Sequence, residues 1–324
     1  MNLILDLIEA FRRSKAMFTA VRLGIFDQLE QAPQSAEVLA STLNLHTGAL
    51  GRLLDGCVAL GLLTRAEGEY RNTPVASRYL VKSSPDTLSG YINYSDRSLY
   101  ALWGHLDDAV REGTNRWEQV FGSRTALFDY YFRDPEATAS FMQGMHGFGQ
   151  LCSASIAAAF DLSRFTHFVD LGGATGHLAV AVCERYPGIK ATIFDLTRIE
   201  PFARTTDRID FVAGDFFADP LPPADLYALG RILHDWDDER IQLLLGKIAA
   251  SLNPGGGILI VEALLNDDHS GPVYAAMQDL NMLVCTDGRE RTFDEYRGLL
   301  EAAGFSNVQY KRTGTPVDAV FATK

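Results

Sequence analysis

Phe168-Val-Asp-Leu-Gly-Gly-Ala-Thr-Gly-His-Leu178 is the stretch on which the reading of this chain turns. An apolar run from Phe165 to Leu171 leads into Gly172-Gly173-x-x-Gly176. Beyond it Leu178, Val180, Ala181, Val182, Arg185 and Tyr186 recur with helical spacing up to Pro187-Gly188. Strand, glycine turn and helix open a nucleotide-binding α/β unit. The glycines let the chain turn sharply and let a ligand reach bare backbone, which a Cβ would block. A dinucleotide fingerprint needs glycine at the first, third and sixth positions. Counted from Gly172 these hold Gly172, Ala174 and His177, so a dinucleotide is excluded, while a glycine turn without a ligand stays open.

From Phe165 onward strand and helix alternate. Expected strands are 165–171, 190–194, 209–212, 224–229 and 257–261, followed by two more, 306–310 and 317–322, close enough to pair as a hairpin. A parallel sheet finished by an antiparallel hairpin is not how a dehydrogenase sheet ends; it is the class I methyltransferase pattern. GGxxG after Val-Asp-Leu likewise resembles motif I of S-adenosylmethionine (SAM) methyltransferases. Asp195 closes the second strand, nineteen residues past Gly176. There a carboxylate can accept both hydroxyls of a ribose, or merely cap a turn. Gly214-Asp215-Phe216-Phe217 closes the third strand, where Asp215 can take an adenine amino group and Phe216 can cover a ring face.

The fourth strand runs into Arg231-Ile-Leu-His234-Asp235-Trp236-Asp237-Asp238-Glu239. Imidazole titrates near neutrality and can take a proton from an attacking hydroxyl, although a lone histidine is more often structural. Glu262 after the fifth strand and Glu290 in Thr286-Asp-Gly-Arg-Glu290-Arg-Thr are the carboxylates placed to hold the His234 ring. The acidic run 235–239 suggests a metal less than a helix start, with acids at the positive end of the helix dipole; no metal is expected.

The first part of the chain reads differently. Residues 1–30 are helical, with a dense second set, Met17, Phe18, Val21, Ile25, Phe26 and Leu29, that suits core or a subunit interface; a two-fold interface is expected on Met17, Phe18, Val21, Leu23 and Ile25. Ser35, a plausible N-cap, starts a helix–turn–helix ending near Leu63, and residues 64–72 suit a short hairpin. That winged-helix pattern raises DNA binding. The second helix, however, offers only Arg52 as a long base-reading side chain, and a DNA reader needs several cations for phosphates. Residues 84–160 are helical and rich in aromatics and methionine, among them Trp103, Trp117, Met142 and Phe148; most are expected to pack, a minority to line an apolar pocket for a flat substrate.

Bulk properties fit this reading. The chain has 324 residues, enough for two domains, of which 47% are hydrophobic and 22% charged. Net charge of -12 disfavours unspecific binding to nucleic acid. Cys57, Cys152, Cys183 and Cys285 form no CxxC pair, so neither a zinc site nor a disulfide framework is suggested. Asp6 and Glu9 lie within the first apolar stretch, which reads as an amphipathic helix and not a signal peptide, and no apolar run approaches a membrane span; the expected location is cytoplasmic.

GGxxG, the strand-end Asp195, GDFF, RILHDW, VEALL and GRERT stand in the order found in plant-type small-molecule O-methyltransferases. The segments 215–220, 226–236, 280–292 and 318–324 most resemble acetylserotonin O-methyltransferase and its like-relatives, and the resemblance spans nearly the whole chain. It implies a Rossmann-like class I SAM methyltransferase with a seven-stranded sheet and a winged-helix dimerisation domain. The implied division is 1–100 for dimerisation, 101–160 for a helical linker and substrate pocket, and 161–324 for catalysis. By the same resemblance His234 is the general base, flanked by Glu262 and Glu290. Gly172, Asp195, Gly214, Asp215, Phe216 and Arg231 hold SAM, and Asp235, Asn281 and Cys285 match substrate-contacting positions. Trp103 and Met142 are taken as pocket candidates. Two departures stand out: Gly147 and Gly149 occur where a tryptophan is common, and Cys285 replaces a substrate-contacting glutamine. The expected activity is methyl transfer from SAM to a hydroxyl, most simply a phenol, of a small aromatic molecule by a homodimer without nucleic-acid or membrane partners. The rivals are a silent SAM-binding or DNA-binding regulator and an N- or C-methyltransferase.

Overall fold

Helix Leu3–Arg22 begins at Asn2, whose side chain accepts the Ile4 backbone N–H at 2.9 Å, and ends at Gly24, whose φ of 74° is left-handed. The computed structural model describes residues 2–122 and 127–324. Contacts divide them into two units, Met1–Tyr100 with Gln143–Gly147, and Ala101–Met142 with Phe148–Lys324.

In the first unit the helical stretch is broken at Gly24 into Leu3–Arg22 and Ile25–Gln31. Helices Ala36–Leu43 and Thr47–Ala59 follow, the former capped by Ser35, whose hydroxyl accepts the Val38 N–H at 3.4 Å. Strands β1 (Gln34–Ser35), β2 (Leu63–Ala66) and β3 (Glu69–Asn72) form a small antiparallel sheet in the order β1-β3-β2, which is the wing. The core contains Val21, Ile25, Phe26, Leu39, Leu54 and Tyr70. This corrects the expected interface stripe. Val21 and Ile25 are buried within the unit itself, while Met17, Phe18 and Leu23 lean partly buried against the same core. Side chains already used internally have little surface to offer a partner. The exposed apolar groups lie earlier, at Leu3 (69% exposed), Ile4, Leu7, Ile8 and Phe11.

The second unit is built on a seven-stranded sheet. Its strands are β4 (His167–Leu171), β5 (Lys190–Asp195), β6 (Ile209–Ala213), β7 (Ala224–Gly230), β8 (Leu252–Glu262), β9 (Ser306–Lys311) and β10 (Asp318–Thr323). The order is β6-β5-β4-β7-β8-β10-β9. The first five strands are mutually parallel, and β10 runs antiparallel to both neighbours, inserted between β8 and β9. This is the class I methyltransferase sheet. Buried parallel strands read as unbroken apolar runs, and Phe168, Val169, Leu226, Ala228, Leu259 and Ile260 are all fully covered. β8 begins at Leu252, earlier than its apolar run, because Leu252 pairs with Ala224. Strand order reverses between β4 and β7, and ligands of such sheets bind beyond the carboxyl ends of the strands at that switch point.

Candidate active site

Five carboxyl-end segments meet at this edge. After β4, Gly172 (φ 66°), Ala174 (φ 51°) and Gly176 (φ 76°) are left-handed, and Gly176 starts helix His177–Arg185. A Cβ at Gly172 would lie 2.5 Å from Ile232 Cδ1 and 3.4 Å from Phe216 Cε1; one at Gly173 would lie 2.7 Å from Asp170 Cγ. Glycine is required here by both backbone and space. Asp195 at the end of β5 accepts the Ala174 N–H at 2.9 Å and the Leu196 N–H at 2.7 Å, so it braces the glycine loop. Burial raises its pKa to about 6 against these two bonds.

Asp170 was not singled out from the sequence. It is 2% exposed within β4, its Oδ2 lacks a hydrogen-bond partner, and burial followed by the nearby Asp195 charge raises its pKa to about 7. A carboxylate inside a buried parallel strand was the available signal, since such residues are almost never fully covered unless paired. A glycine cradle that any Cβ would fill, edged by a buried carboxylate with an unused oxygen, fits a cationic, hydroxyl-bearing nucleoside such as SAM.

After β6 the loop is partly self-satisfied. Asp215 Oδ1 accepts the Phe217 N–H at 2.8 Å, and the Phe216 carbonyl accepts from Lys247 Nζ at 2.9 Å. A Cβ at Gly214 would strike the Phe194 ring, so internal packing is sufficient to require that glycine. Phe216 packs beside Gly172 and meets Phe217 at 4.9 Å between centroids. Arg231, at the end of β7, has φ 57° and donates its N–H to Val261 at 2.9 Å; its guanidinium lies 4.4 Å from the Phe148 centroid.

His234 sits on the 3-10 turn Leu233–Asp235 and is 3% exposed. Its Nδ1 lies 2.7 Å from Glu290 Oε1 and 3.3 Å from Glu262 Oε2, and its Nε2 lies 3.8 Å from Asp235 Oδ1. Glu262, at the end of β8, also accepts the N–H groups of Ile232 and Leu233 at 3.0 and 2.9 Å, so it holds the turn as well as facing the ring. Burial disfavours the imidazolium, but the charges of Glu262, Glu290 and Asp235 outweigh it and raise the His234 pKa to about 9. Burial pushes Glu262 upward to about 7. These three residues also have the composition of a metal cluster. Nδ1 is hydrogen-bonded to Glu290 Oε1 and Glu262 Oε1 receives two backbone donors, while Glu262 Oε2 and Glu290 Oε2 have no hydrogen-bond partner.

Asp235 does not belong to the helix start. It is partly buried beside His234, whereas Asp237 caps helix Asp238–Ser251 by accepting the Arg240 N–H at 2.8 Å. Arg291 was also missed. Its fully buried guanidinium donates to the carbonyls of Leu233 (3.3 Å), Trp236 (3.0 Å) and Arg289 (3.0 Å), and to Asp238. It thereby ties both sides of His234 to the loop that carries Glu290. In the same contact a Cβ at Gly288 would strike the His234 carbonyl.

Of the substrate candidates, the structure joins Trp103, Asn281 and Cys285. Trp103 Nε1 donates to Asn281 Oδ1 at 2.9 Å, and Cys285 Sγ lies 3.7 Å from the same oxygen. Cys285 is 2% exposed, and its carbonyl accepts the Trp117 indole N–H at 2.7 Å. Met142 is buried in helix Pro135–Ala157, apart from the contacts just given. Most other aromatics of 84–160 pack on one another, as Tyr131 on Phe141 at 4.5 Å and Trp117 on Tyr130 at 5.3 Å. A separate cavity of about 400 Å³ lies at the opposite, amino ends of β4 and β5, lined by Thr166, His167, Lys190 and Thr192 among others, and contains none of the expected site residues.

Residues 103–306 match the O-methyltransferase domain family, and residues 5–82 match the O-methyltransferase dimerisation domain. Acetylserotonin O-methyltransferase of Gallus gallus is 44% identical over 100% of this chain and 97% of its own length. The probable bifunctional dTTP/UTP pyrophosphatase/methyltransferase protein of Homo sapiens is 43% identical over 99% of this chain, which spans about half (53%) of that longer protein. The crystal structure of human N-acetylserotonin methyltransferase in complex with SAM superposes with a TM-score of 0.95 at 41% identity, covering 99% of this chain and 96% of that one.

Proposed function

This chain belongs to the SAM-dependent O-methyltransferase family, and from that premise we propose that His234 is its general base and that the acceptor is a phenolic hydroxyl on a small, flat aromatic molecule. The observation that carries the reading is the buried His234 ring with Nδ1 held 2.7 Å from Glu290 at the carboxyl edge of the sheet. With Nδ1–H directed at the carboxylates, Nε2 is the atom left to receive the acceptor's proton.

SAM supplies, when bound, a methyl carbon made electrophilic by its sulfonium. The work of the chain is then alignment and proton removal. Gly172 leaves the backbone bare, Asp195 and Asp215 offer carboxylate oxygens to the nucleoside, Phe216 and Arg231 flank it, and Asp170 adds a buried carboxyl oxygen near the cradle. His234 Nε2 would take the acceptor's proton as the methyl passes to the acceptor oxygen, the carbon–sulfur bond breaking and S-adenosylhomocysteine leaving. A phenol of pKa near 10 is scarcely ionised at neutral pH, so a base in reach contributes about 10²–10⁴-fold. Glu290 and Glu262 stabilise the resulting imidazolium. Asn281, oriented by Trp103, and Asp235 present polar groups to the acceptor; Cys285 acts from behind Asn281. Residues 101–160 serve with the catalytic half as pocket wall.

We infer a homodimer formed through the first unit, with Leu3, Ile4, Leu7, Ile8 and Phe11 as the contact stripe. These fall on successive turns of one helix and are exposed in the single chain, and the unit matches a dimerisation domain.

The test is incubation with methyl-labelled SAM and a panel of phenols, beginning with N-acetylserotonin, the compound that names several relatives, with products identified by mass spectrometry. O-methylation lost in His234→Ala is expected. Methyl found on nitrogen or carbon, or a His234→Ala variant as fast as the parent, sinks the reading.

A further inference from the structure

Helix Pro135–Ala157 carries a glycine at position 149, in its interior, where glycine is the poorest ordinary residue for helix stability. A Cβ there would fall inside the imidazole of His177, against Nε2, Cδ2 and Cε1. His177 is the first residue of helix His177–Arg185, directly after the glycine loop. Side chains of a helix tilt toward its N-terminus, which for His177 is the end that joins the glycine loop.

The ring is held in one orientation. Ser153 has a single hydroxyl proton, which it donates to the Gly149 carbonyl at 2.8 Å. Its oxygen also lies 2.8 Å from His177 Nδ1 and must accept in that contact, so Nδ1 carries the proton. Nε2 is thereby turned to the flank of Gly149. The same short segment reaches two other parts of the edge. Phe148 lies under the Arg231 guanidinium at 4.4 Å and stacks on Tyr274 at 6.4 Å and 17°. Residues 148–153 thus cross from the glycine-loop helix to the end of β7 and to helix Val273–Cys285.

We propose that His177 and Gly149 are a matched pair that roofs the cofactor cradle: the imidazole, pinned by Ser153, fills from the loop side the volume that a side chain at 149 would otherwise fill from the helix side, and so sets cofactor affinity. His177 is a positioning residue for the glycine loop and for segment 148–153. The proposal rests on the assignment of the glycine loop to SAM made above. It requires that residues 149 and 177 be coupled, because each is tolerated only in the presence of the other's shape.

The experiment is calorimetry of S-adenosylhomocysteine binding to the full chain and to Gly149→Ala, His177→Ala and the double variant, with melting temperatures and with acceptor KM measured separately. Expected is weakening of about tenfold or more for each single variant, little change in acceptor KM, and a double variant that binds better than Gly149→Ala alone, since the added methyl then enters vacated space. Additive losses, or single variants that bind as the parent does, overturn the pairing. If Gly149→Ala does not fold, Ser153→Ala decides: it removes only the pin, and unchanged affinity in that folded variant overturns the proposal. Failure of the parent itself to bind S-adenosylhomocysteine would instead remove the cofactor assignment on which the proposal rests, a distinct result.

Discussion

His234 shows how one residue is made into a base by its surroundings. Its ring is buried with Glu290 and Glu262 on one nitrogen and Asp235 near the other. Because these carboxylates raise its pKa to about 9, and a base works only when unprotonated, kcat/KM is expected to climb from pH 7 and level off above about 9. The stability linkage runs the other way. A histidine whose folded pKa is raised stabilises the fold fully below its unfolded value of about 6.5, and that contribution is lost as pH rises through about 9. A pH–rate profile beside a pH–melting series checks both; a profile already flat at pH 7 would show that another group titrates. His234→Ala should lower turnover by about 10²–10⁴-fold with cofactor affinity retained, read by calorimetry. Asp195 acts on the other ligand. It braces Ala174 at 2.9 Å, and Asp195→Ala should weaken cofactor binding by about 1.5–3 kcal/mol for each charged hydrogen bond lost. An unaltered dissociation constant would leave Asp195 as a loop brace alone.

At the scale of elements, the site depends on how loops are held to one another. Arg291 bonds the carbonyls on both sides of His234 while its own loop carries Glu290. Arg291→Met should take the side-chain donor from the carbonyls of Trp236 and Arg289, while Leu233 keeps the Trp236 N–H, at about 1–3 kcal/mol for each carbonyl left buried and unpaired. The melting temperature should fall. If Arg291 also keeps Glu290 against Nδ1, the acid limb of the pH–rate profile should move toward lower pH as the ring loses a carboxylate. A lower melting temperature with an unmoved limb would confine Arg291 to stability. The glycine turn after β4 was legible in the sequence because enough of its cause is local: left-handed φ values at Gly172 and Gly176 and crowding of Gly173 by Asp170 demand glycine. Arg291 was not legible, because its partners at Leu233 and Trp236 are backbone carbonyls 58 and 55 residues away, and a carbonyl leaves no mark in a sequence.

For the whole molecule, association is expected to run through the helix Leu3–Arg22. Leu7→Asp places a charge at the centre of the exposed stripe and should convert a dimer to a monomer in light scattering, with the melting temperature of the single unit little changed. A dimer that survives this substitution places the contact elsewhere. Phe18→Asp is the contrasting variant: Phe18 leans on its own unit's core, so loss of stability is expected there before loss of association. Methyl transfer should withstand a chelator, because the acidic run 235–239 is divided between Asp235 beside His234 and the Asp237 helix cap, and His234 Nδ1 is already bonded to Glu290. Activity abolished by chelation and restored by a divalent ion would overturn that reading.

The sequence by itself determined the sheet and its ligand edge. Buried parallel strands must be continuous apolar runs, and a turn that brings backbone to a ligand must be glycine; both rules act within a few residues, so Phe168–Leu171 and Gly172–Gly176 declare themselves. It also determined which titratable residues stand at the ends of elements, and so that His234, Glu262 and Glu290 were candidates for one site. Only the tertiary structure decided that Glu262 holds the turn as well as the ring, that Asp235 faces His234 while Asp237 caps the helix, that Asp170 keeps an unused oxygen at the cradle, and which apolar face of the first helix is uncovered. Helical spacing makes Leu7 and Val21 look alike, since both recur on an apolar stripe. Whether such a stripe is core or contact depends on what packs over it, and that is settled by residues far away in the chain: Val21 is covered by its own unit, and Leu7 is not.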